Sequence, residues 1–480
     1  MSKQRVMFSP VTRLSGLLSI EVVVEDGRMV EANASSTMFR AYEWIMRGHH
    51  ITDGVYLTQR VCGICSLAHG AAASYLLDEL YGNEVPENGQ YLRNIMLASD
   101  FLQNHIRHFY LFSLPDFVVM PDTPPFHGQD LADMRLCPAD NERLVCHSRE
   151  GIIAAQEAHQ LLALFGGKAP HQHSFVHGGV SVAPTADKIA SALSLAQRIL
   201  EFINTKLIPD TKLISRAYSD YFQIGKTAGR FMSFGVWRFG SRNERPLWPP
   251  GVLADGILTH PDVSLISEDV TSSWFAPNGV SHEGSQEGSQ EIPDPPIPEP
   301  NKPGAYTWVK SVQYAGQHYE GGPLARMLML GKYEGGSSTM DRIVARSIEA
   351  QCIAELVVKW LRELTPGPPP INQKEKPIKD IVTATNEAMR GPLLHRAEIS
   401  VEEERVKRYD IITPTAWNFS PKDARGASGP AESALAGTSI PRSDMLFTVL
   451  GRIVRSFDPC MACATHVLNL DDNLQLERII

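Results

Sequence analysis

The stretch Arg60-Val61-Cys62-Gly63-Ile64-Cys65-Ser66-Leu67-Ala68-His69 places two thiols three positions apart, with a histidine four beyond the second. Near the other end, Asp458-Pro459-Cys460-Met461-Ala462-Cys463-Ala464-Thr465-His466 repeats the arrangement. A C-x-x-C pair turns the backbone back on itself and offers both sulfurs to one soft metal. Structural zinc sites usually keep two such pairs within about 15 to 20 residues of each other. Here almost the whole chain separates them. The fold must therefore bring its two ends together around a buried four-sulfur site, which suits a large enzyme core better than a local staple.

Other residues accompany these pairs in order. They are Met38-Phe39-Arg40 with Glu43, Asn104-His105 with His108-Phe109-Tyr110, Glu268-Asp269-Val270-Thr271, Gly322-Pro323-Leu324-Ala325-Arg326, Arg390-Gly391, and Pro414-Thr415-Ala416-Trp417-Asn418 before Ser420-Pro421. With R-x-C-G-x-C and D-P-C-x-x-C-x-x-H, they make the chain similar to the large subunit of nickel-iron hydrogenases over essentially its full length. The resemblance implies a mainly α fold with α/β parts, a long-helix bundle core flanked by smaller mixed α/β regions. It implies heterolytic splitting of H2, with electrons passed to a small iron-sulfur subunit.

Composition sets bounds. A chain of 480 residues, 43% hydrophobic and 21% charged, is ordinary for a soluble globular protein and long enough for a large core. A net charge of -9 without a long basic run argues against a nucleic-acid surface. Seven cysteines, four of them in C-x-x-C pairs, argue against a secreted disulfide framework. No window holds the roughly 18 to 20 apolar residues that span a bilayer, so no transmembrane segment is expected. Met1-Ser2-Lys3-Gln4-Arg5 leads into mixed sequence and not into a leader. The expected compartment is the cytoplasm, with membrane association or export through the partner subunit as the other route.

Alternation of Ile20, Val22 and Val24, then Val30, Ala32 and Ala34, around Asp26-Gly27 predicts a hairpin with a type I′ turn. Helical spacing predicts helices over 38–47, 92–112, 152–165, 189–207 and 340–364. The first would carry Phe39, Tyr42, Ile45 and Met46 on one face. The segment from about 277 to 304, with its Glu-Gly-Ser-Gln near-repeat, reads as a mobile polar insertion, and 366–377 as a surface crossing.

The resemblance also assigns roles. Cys62, Cys65, Cys460 and Cys463 would hold nickel, and Cys65 and Cys463 would also bridge to an iron carrying two cyanides and one carbon monoxide. Thiolate sulfur suits a metal that changes oxidation state. Cys460 would take the proton when hydrogen is split. His69 would hydrogen-bond near a bridging sulfur, Arg390 would stand over the open metal position with Asp458 as its charge partner, and the Thr415 hydroxyl would bond to a cyanide. Glu43, His466 and the backbone carbonyl of Ile411 would bind Mg2+. The remaining cysteines, Cys137, Cys146 and Cys352, are too few for an electron relay, which places the iron-sulfur clusters in the partner alone. Residues 1–466 would be the working subunit, and 467–480 a tail removed after His466 by a maturation endopeptidase.

Two positions depart from the family pattern. Ser15 stands where a glutamate commonly carries the proton away, and a serine does not ionise near neutral pH. Asn104 stands where an aspartate is common, which puts its pairing with Arg390 in doubt. These departures point toward the group of cytoplasmic uptake enzymes and hydrogen sensors. A low-turnover hydrogen sensor and a zinc-held assembly subunit are the competing readings.

Overall fold

The computed structural model describes residues 3–124, 126, 129–276 and 296–464, the side chains of 463 and 464 excepted. Most of the expected polar insertion, the residue His466 and the 467–480 tail lie outside the described residues, as does the side chain of Cys463.

At the centre, the helix Glu87–Arg107 packs against Pro138–Gly166 and Thr339–Glu363, and Ala186–Phe202 completes the bundle against the last two. Helix Thr339–Glu363 begins at a capping box: Ser338 Oγ accepts the Asp341 N–H, and the Asp341 carboxylate accepts the Ser338 N–H at 2.8 Å. The expected spans hold for the long helices, with one large extension. The second helix starts at Pro138, not 152, because its first turns are solvated and carry little apolar periodicity; Ile152 and Ile153 themselves face water. Two helices end in wider π-helical turns, His108–Ser113 and Ile203–Leu207, a feature that often marks functional sites.

The N-terminal sheet is antiparallel in the order Gln4–Phe8, Ser19–Glu25, Arg28–Ser35. Asp26 and Gly27 both have positive φ, at 53° and 73°, as a type I′ turn demands. One face reading is corrected. A bulge at Val23/Val24 shifts the register so that Met29 is buried, and Val30, expected to alternate in step with Ala32 and Ala34, is 41% exposed. The helix expected over 38–47 is also shorter, Tyr42–Met46. Ala41 has a left-handed backbone that stops it, Phe39 packs instead with Val270 and Phe275, and Ile45 is exposed.

Periodicity did not single out a C-terminal antiparallel sheet, Ile381–Ala388, Gly391–Ser400 and Arg405–Ile412, with Gly391–Ser400 in the middle. It packs on the helix Ser66–Tyr81, which is apolar nearly all round and almost wholly buried. Two apolar cores result: one holds the bundle together with Cys62, Cys65 and Cys460, and the other holds the N-terminal sheet, helix Leu446–Ser456 and Met461. The C-terminal cysteine loop therefore runs along their seam.

A buried ion network lies within the first of these cores. Arg326 bonds to Glu349 at 2.6 and 2.8 Å, to Glu387, and to the Met389 carbonyl at 2.9 Å. His105 reaches the same Glu349 at 2.8 Å. The network fixes the chain just before Arg390 against two bundle helices. Replacing Arg326 with Leu strands two carboxylates that are fully buried, and removing one partner of such a pair costs about 3–5 kcal/mol. Arg326→Leu is expected to lower the thermal midpoint by many degrees in a calorimetric scan; an unchanged midpoint would show that the network contributes no stability.

Candidate metal centre

Cys62 and Cys65 end the short irregular stretch before the helix Ser66–Tyr81, whose N-cap is Cys65. The positive end of that helix dipole thus lies at the sulfur pair and favours negative charge there. The turn aims backbone N–H groups of Ile64 and Cys65 at Cys62 Sγ, at 3.2 and 3.5 Å. Cys460 arrives from the opposite terminus, with its sulfur 3.2 Å from Cys62 Sγ. The three sulfurs of Cys62, Cys65 and Cys460 lie within 4.8 Å of one another and are buried, the single such cluster of His, Cys, Asp and Glu ligand atoms among the described residues. Three buried thiols that converge in this way are a donor set for a soft metal.

Two devices bring the ends together. Ser15 forms a parallel bridge with Cys460, and the Met461 N–H donates to the Ser15 carbonyl at 2.7 Å. Gly16 follows at φ 88°, and a Cβ there would stand 2.6 Å from the Ala462 nitrogen, so the contact requires glycine. Arg40 is the second device: one guanidinium donates to the carbonyls of Arg60, Val61 and Ala462 and so clamps both cysteine loops.

Beside the sulfurs, Arg390 Nε donates to the Asp458 carbonyl at 2.8 Å, and Nη2 lies 3.0 Å from Asp458 Oδ1 and 2.8 Å from Asn104 Oδ1. Asn104 Nδ2 in turn donates to Asp458 Oδ2 at 2.7 Å. The pairing doubted from the sequence is therefore present: the amide joins both partners. Burial works against the Arg390 charge, but Asp458 and the sulfurs of Cys460, Cys65 and Cys62 keep it firmly cationic. Burial likewise opposes ionisation of Asp458, yet the Arg390 guanidinium, with Arg346, holds its carboxyl down at about 2. Arg390 Nη1 is buried and has no hydrogen-bond partner. An orphaned charged N–H beside three thiols is what a site built for a further group, supplying an acceptor, would show.

Thr415, on the helix Pro414–Asn418, accepts the Cys460 N–H at 3.1 Å, leaving its hydroxyl proton for another acceptor. Asn418 on the same helix binds the Arg390 carbonyl at 3.2 Å. His69, buried one turn into its helix, meets His395 at 3.2 Å. Glu43 is buried, and burial raises its carboxyl to about 7 against the pull of Lys310. It shares this cluster with Asp410, the residue before Ile411, while Lys310 bonds to Glu268 at 2.5 Å.

Several residues gave no usable sequence signal. Asp100 is buried one turn before Asn104, and burial pushes it up to about 7. It accepts from Gln103, whose amide also holds the Ile64 carbonyl between the two N-terminal cysteines. Arg346 donates to the Ser456 carbonyl at 3.1 Å and contacts His108 Nδ1 at 3.2 Å. His108 Nε2 must donate to the Arg455 carbonyl, 2.6 Å away, so Nδ1 is its acceptor, and burial holds the ring neutral with a pKa of about 3.

The family model for nickel-dependent hydrogenases matches residues 40–123, 123–337 and 331–466. The periplasmic [NiFeSe] hydrogenase large subunit of Desulfomicrobium baculatum is 33% identical, across 98% of this chain and 96% of that protein. The hydrogenase-2 large chain of Escherichia coli K12 is 26% identical, across 98% of each. Among solved structures, the Ni-Fe-Se hydrogenase of D. vulgaris Hildenborough in the reduced state superposes with a TM-score of 0.90 at 33% identity, covering 97% of this chain and 100% of that one. The first of these relatives carries a periplasmic name, which overturns the cytoplasmic expectation. No helix among the described residues is long and apolar enough to cross a membrane. The zinc-held scaffold and the sensor both give way, because the matched proteins are named as hydrogenases. With its ends joined at three converging thiols, this chain belongs to the nickel-dependent hydrogenase family and is a homologue of its catalytic large subunits.

Proposed function

We propose that this chain is the catalytic half of an H2-oxidising heterodimer, in which Cys62, Cys65, Cys460 and Cys463 would hold nickel, and Cys65 and Cys463 would also be ligands of an Fe(CN)2(CO) unit. The observation that carries the reading is the meeting of Cys62 Sγ and Cys460 Sγ at 3.2 Å from opposite ends of the chain. When bound, such a centre supplies a redox-active Lewis acid at which H2 is polarised.

The chain's own residues do the rest. H2 yields two protons and two electrons, and Cys460 Sγ is the base that receives the first proton. Arg390, fixed by Asp458, Asn104 and the Asn418 contact, holds a positive charge and an unpaired N–H at a stationary place, so no reorganisation is needed as charge develops. The Thr415 hydroxyl is oriented by the Cys460 N–H so that it can donate to a cyanide. The proton leaves past Ser15, whose backbone already lies against Cys460. Mg2+ would take Glu43, the Ile411 carbonyl and His466, and a mature end at His466, after an endopeptidase removes 467–480, would complete that site. Electrons leave through iron-sulfur clusters in a small subunit, because Cys137, Cys146 and Cys352 stand apart from the thiol cluster.

Three measurements test this. Metal analysis of the matured heterodimer should give nickel and iron, and Cys62→Ser should lose the nickel; stoichiometric zinc without either metal would sink the reading. Arg390→Lys should keep both metals and lower steady-state H2-dependent dye reduction about 100-fold or more, since the fork geometry is lost; wild-type rates would remove Arg390 from the chemistry. Ser15→Glu should change the rate of H2/D2O exchange, whereas Gly16→Ala should instead impair metal retention by forcing Ala462 away. An exchange rate unaltered by Ser15→Glu would count against proton exit there.

A further inference from the structure

Behind His69 lies a chain of three buried rings that belongs to the support of the site and not to its lining. His395 and Tyr409 sit on neighbouring strands, Gly391–Ser400 and Arg405–Ile412, where Ala397 pairs with Tyr409 and His395 with Ile411. Alternation therefore puts His395 and Tyr409 on one face of the sheet, diagonal to each other, and that sheet packs against the helix of His69. His69 Nδ1 is 3.2 Å from His395 Nε2, and His395 Nδ1 is 2.9 Å from the Tyr409 hydroxyl. All three side chains are buried, at 1%, 0% and 1% exposure. Burial holds the His395 imidazole well below its usual value and raises the Tyr409 phenol, so both are neutral.

The direction of this chain follows from counting protons. A neutral imidazole has one N–H donor and one acceptor nitrogen. Among the described residues, His395 Nδ1 is the one hydrogen-bond partner of the Tyr409 hydroxyl. If His395 carried its proton on Nδ1, the buried Tyr409 O–H would have no acceptor, which buried donors avoid. Tyr409 therefore donates, His395 Nδ1 accepts, and the His395 proton lies on Nε2. That N–H donates to His69 Nδ1, which leaves the His69 proton on Nε2.

We propose that His395 and Tyr409 are positioning residues that fix His69 as an Nε2 donor serving the sulfur cluster, whose Cys65 lies four residues before it. The proposal rests on the nickel-iron reading above. An N–H presented in a fixed direction tunes the electron density of nearby thiolates, and outer contacts of this kind typically change metal affinity or activity 10- to 100-fold. The phenol is thus the anchor of a one-way relay of tautomers, and its ring packs edge-on to His395 with centroids 5.6 Å apart.

The test uses the matured heterodimer and three variants. Tyr409→Phe removes a single oxygen and frees His395 to take either tautomer. His395→Leu breaks the chain. His395→Gln keeps its direction, because the amide oxygen can accept from Tyr409 while its N–H donates to His69. Nickel content, the electron paramagnetic resonance spectrum of the oxidised centre and H2-dependent dye reduction are read together. Expected are near wild-type nickel content in all three, displaced g-values and a roughly tenfold lower rate in Tyr409→Phe and His395→Leu, and a near wild-type spectrum in His395→Gln. A nickel-loaded Tyr409→Phe with the wild-type spectrum overturns the proposal, as does His395→Gln displaced as far as His395→Leu. If His395→Leu does not fold, Tyr409→Phe decides alone. Wild-type protein without nickel would instead overturn the metal reading itself, so the two failures are distinguishable.

Discussion

Everything at this site depends on one closure, the contact between chain ends some four hundred positions apart. A pair of sulfurs cannot be held at bonding reach of one metal by apolar packing alone, because packing tolerates shifts that a metal does not. Here the closure is made by backbone groups: the Ser15 carbonyl accepts from Met461, and the Arg40 guanidinium binds carbonyls of both cysteine loops. Backbone-directed bonds fix the main chain itself, so the thiols inherit their separation. This is also why the loop sits where two apolar cores meet. Cys62 and Cys460 are held in one core and Met461 in the other, and the close approach of the two segments falls at Gly16, where a side chain would not fit.

The closure explains which parts of the site were legible in the sequence. Cys62, Cys65 and Cys460 could be read because two thiols three apart have few uses, and their meeting is forced once a single metal is supposed. The type I′ hairpin could be read because Asp26-Gly27 offers the left-handed backbone that the turn needs. Val30 could not be placed, since a bulge is a property of the pairing and not of either strand. The middle C-terminal strand gave little alternation because its first half is buried on both faces. Arg346, Asp100 and Tyr409 were silent for a related reason: a lone arginine, aspartate or tyrosine acquires meaning only from neighbours that are distant in sequence. The cytoplasmic placement failed on different grounds, since compartment is not encoded in the packing of this chain.

The electrostatics of the site follow from keeping charges in pairs. Arg390 and Asp458 are both almost fully buried, and each would be costly alone. Together they are joined by a charged contact, by the Arg390 bond to the Asp458 carbonyl, and by Asn104. His108 shows the complementary solution. Its ring stays neutral, so that it can accept from Arg346 while donating to the Arg455 carbonyl, and no charge is added next to the sulfurs. The π-helical turn that begins at His108 sets this ring at the end of the bundle, against the loop that leads to Asp458.

Asn104 is best understood from what an acid there would do. A carboxylate can only accept, so it could bind Arg390 but would face the Asp458 carboxylate with no proton between them. It would also add a negative charge to a dry site that already contains Asp458 and the cysteine sulfurs, and like charges at hydrogen-bond distance force one group to remain protonated. The amide presents its oxygen to Arg390 and its N–H to Asp458, satisfying both with no net charge. The same logic applies to Ser15. The position contributes its carbonyl and N–H to the closure, roles that any residue could perform, which leaves its side chain free to vary without opening the contact between the chain ends.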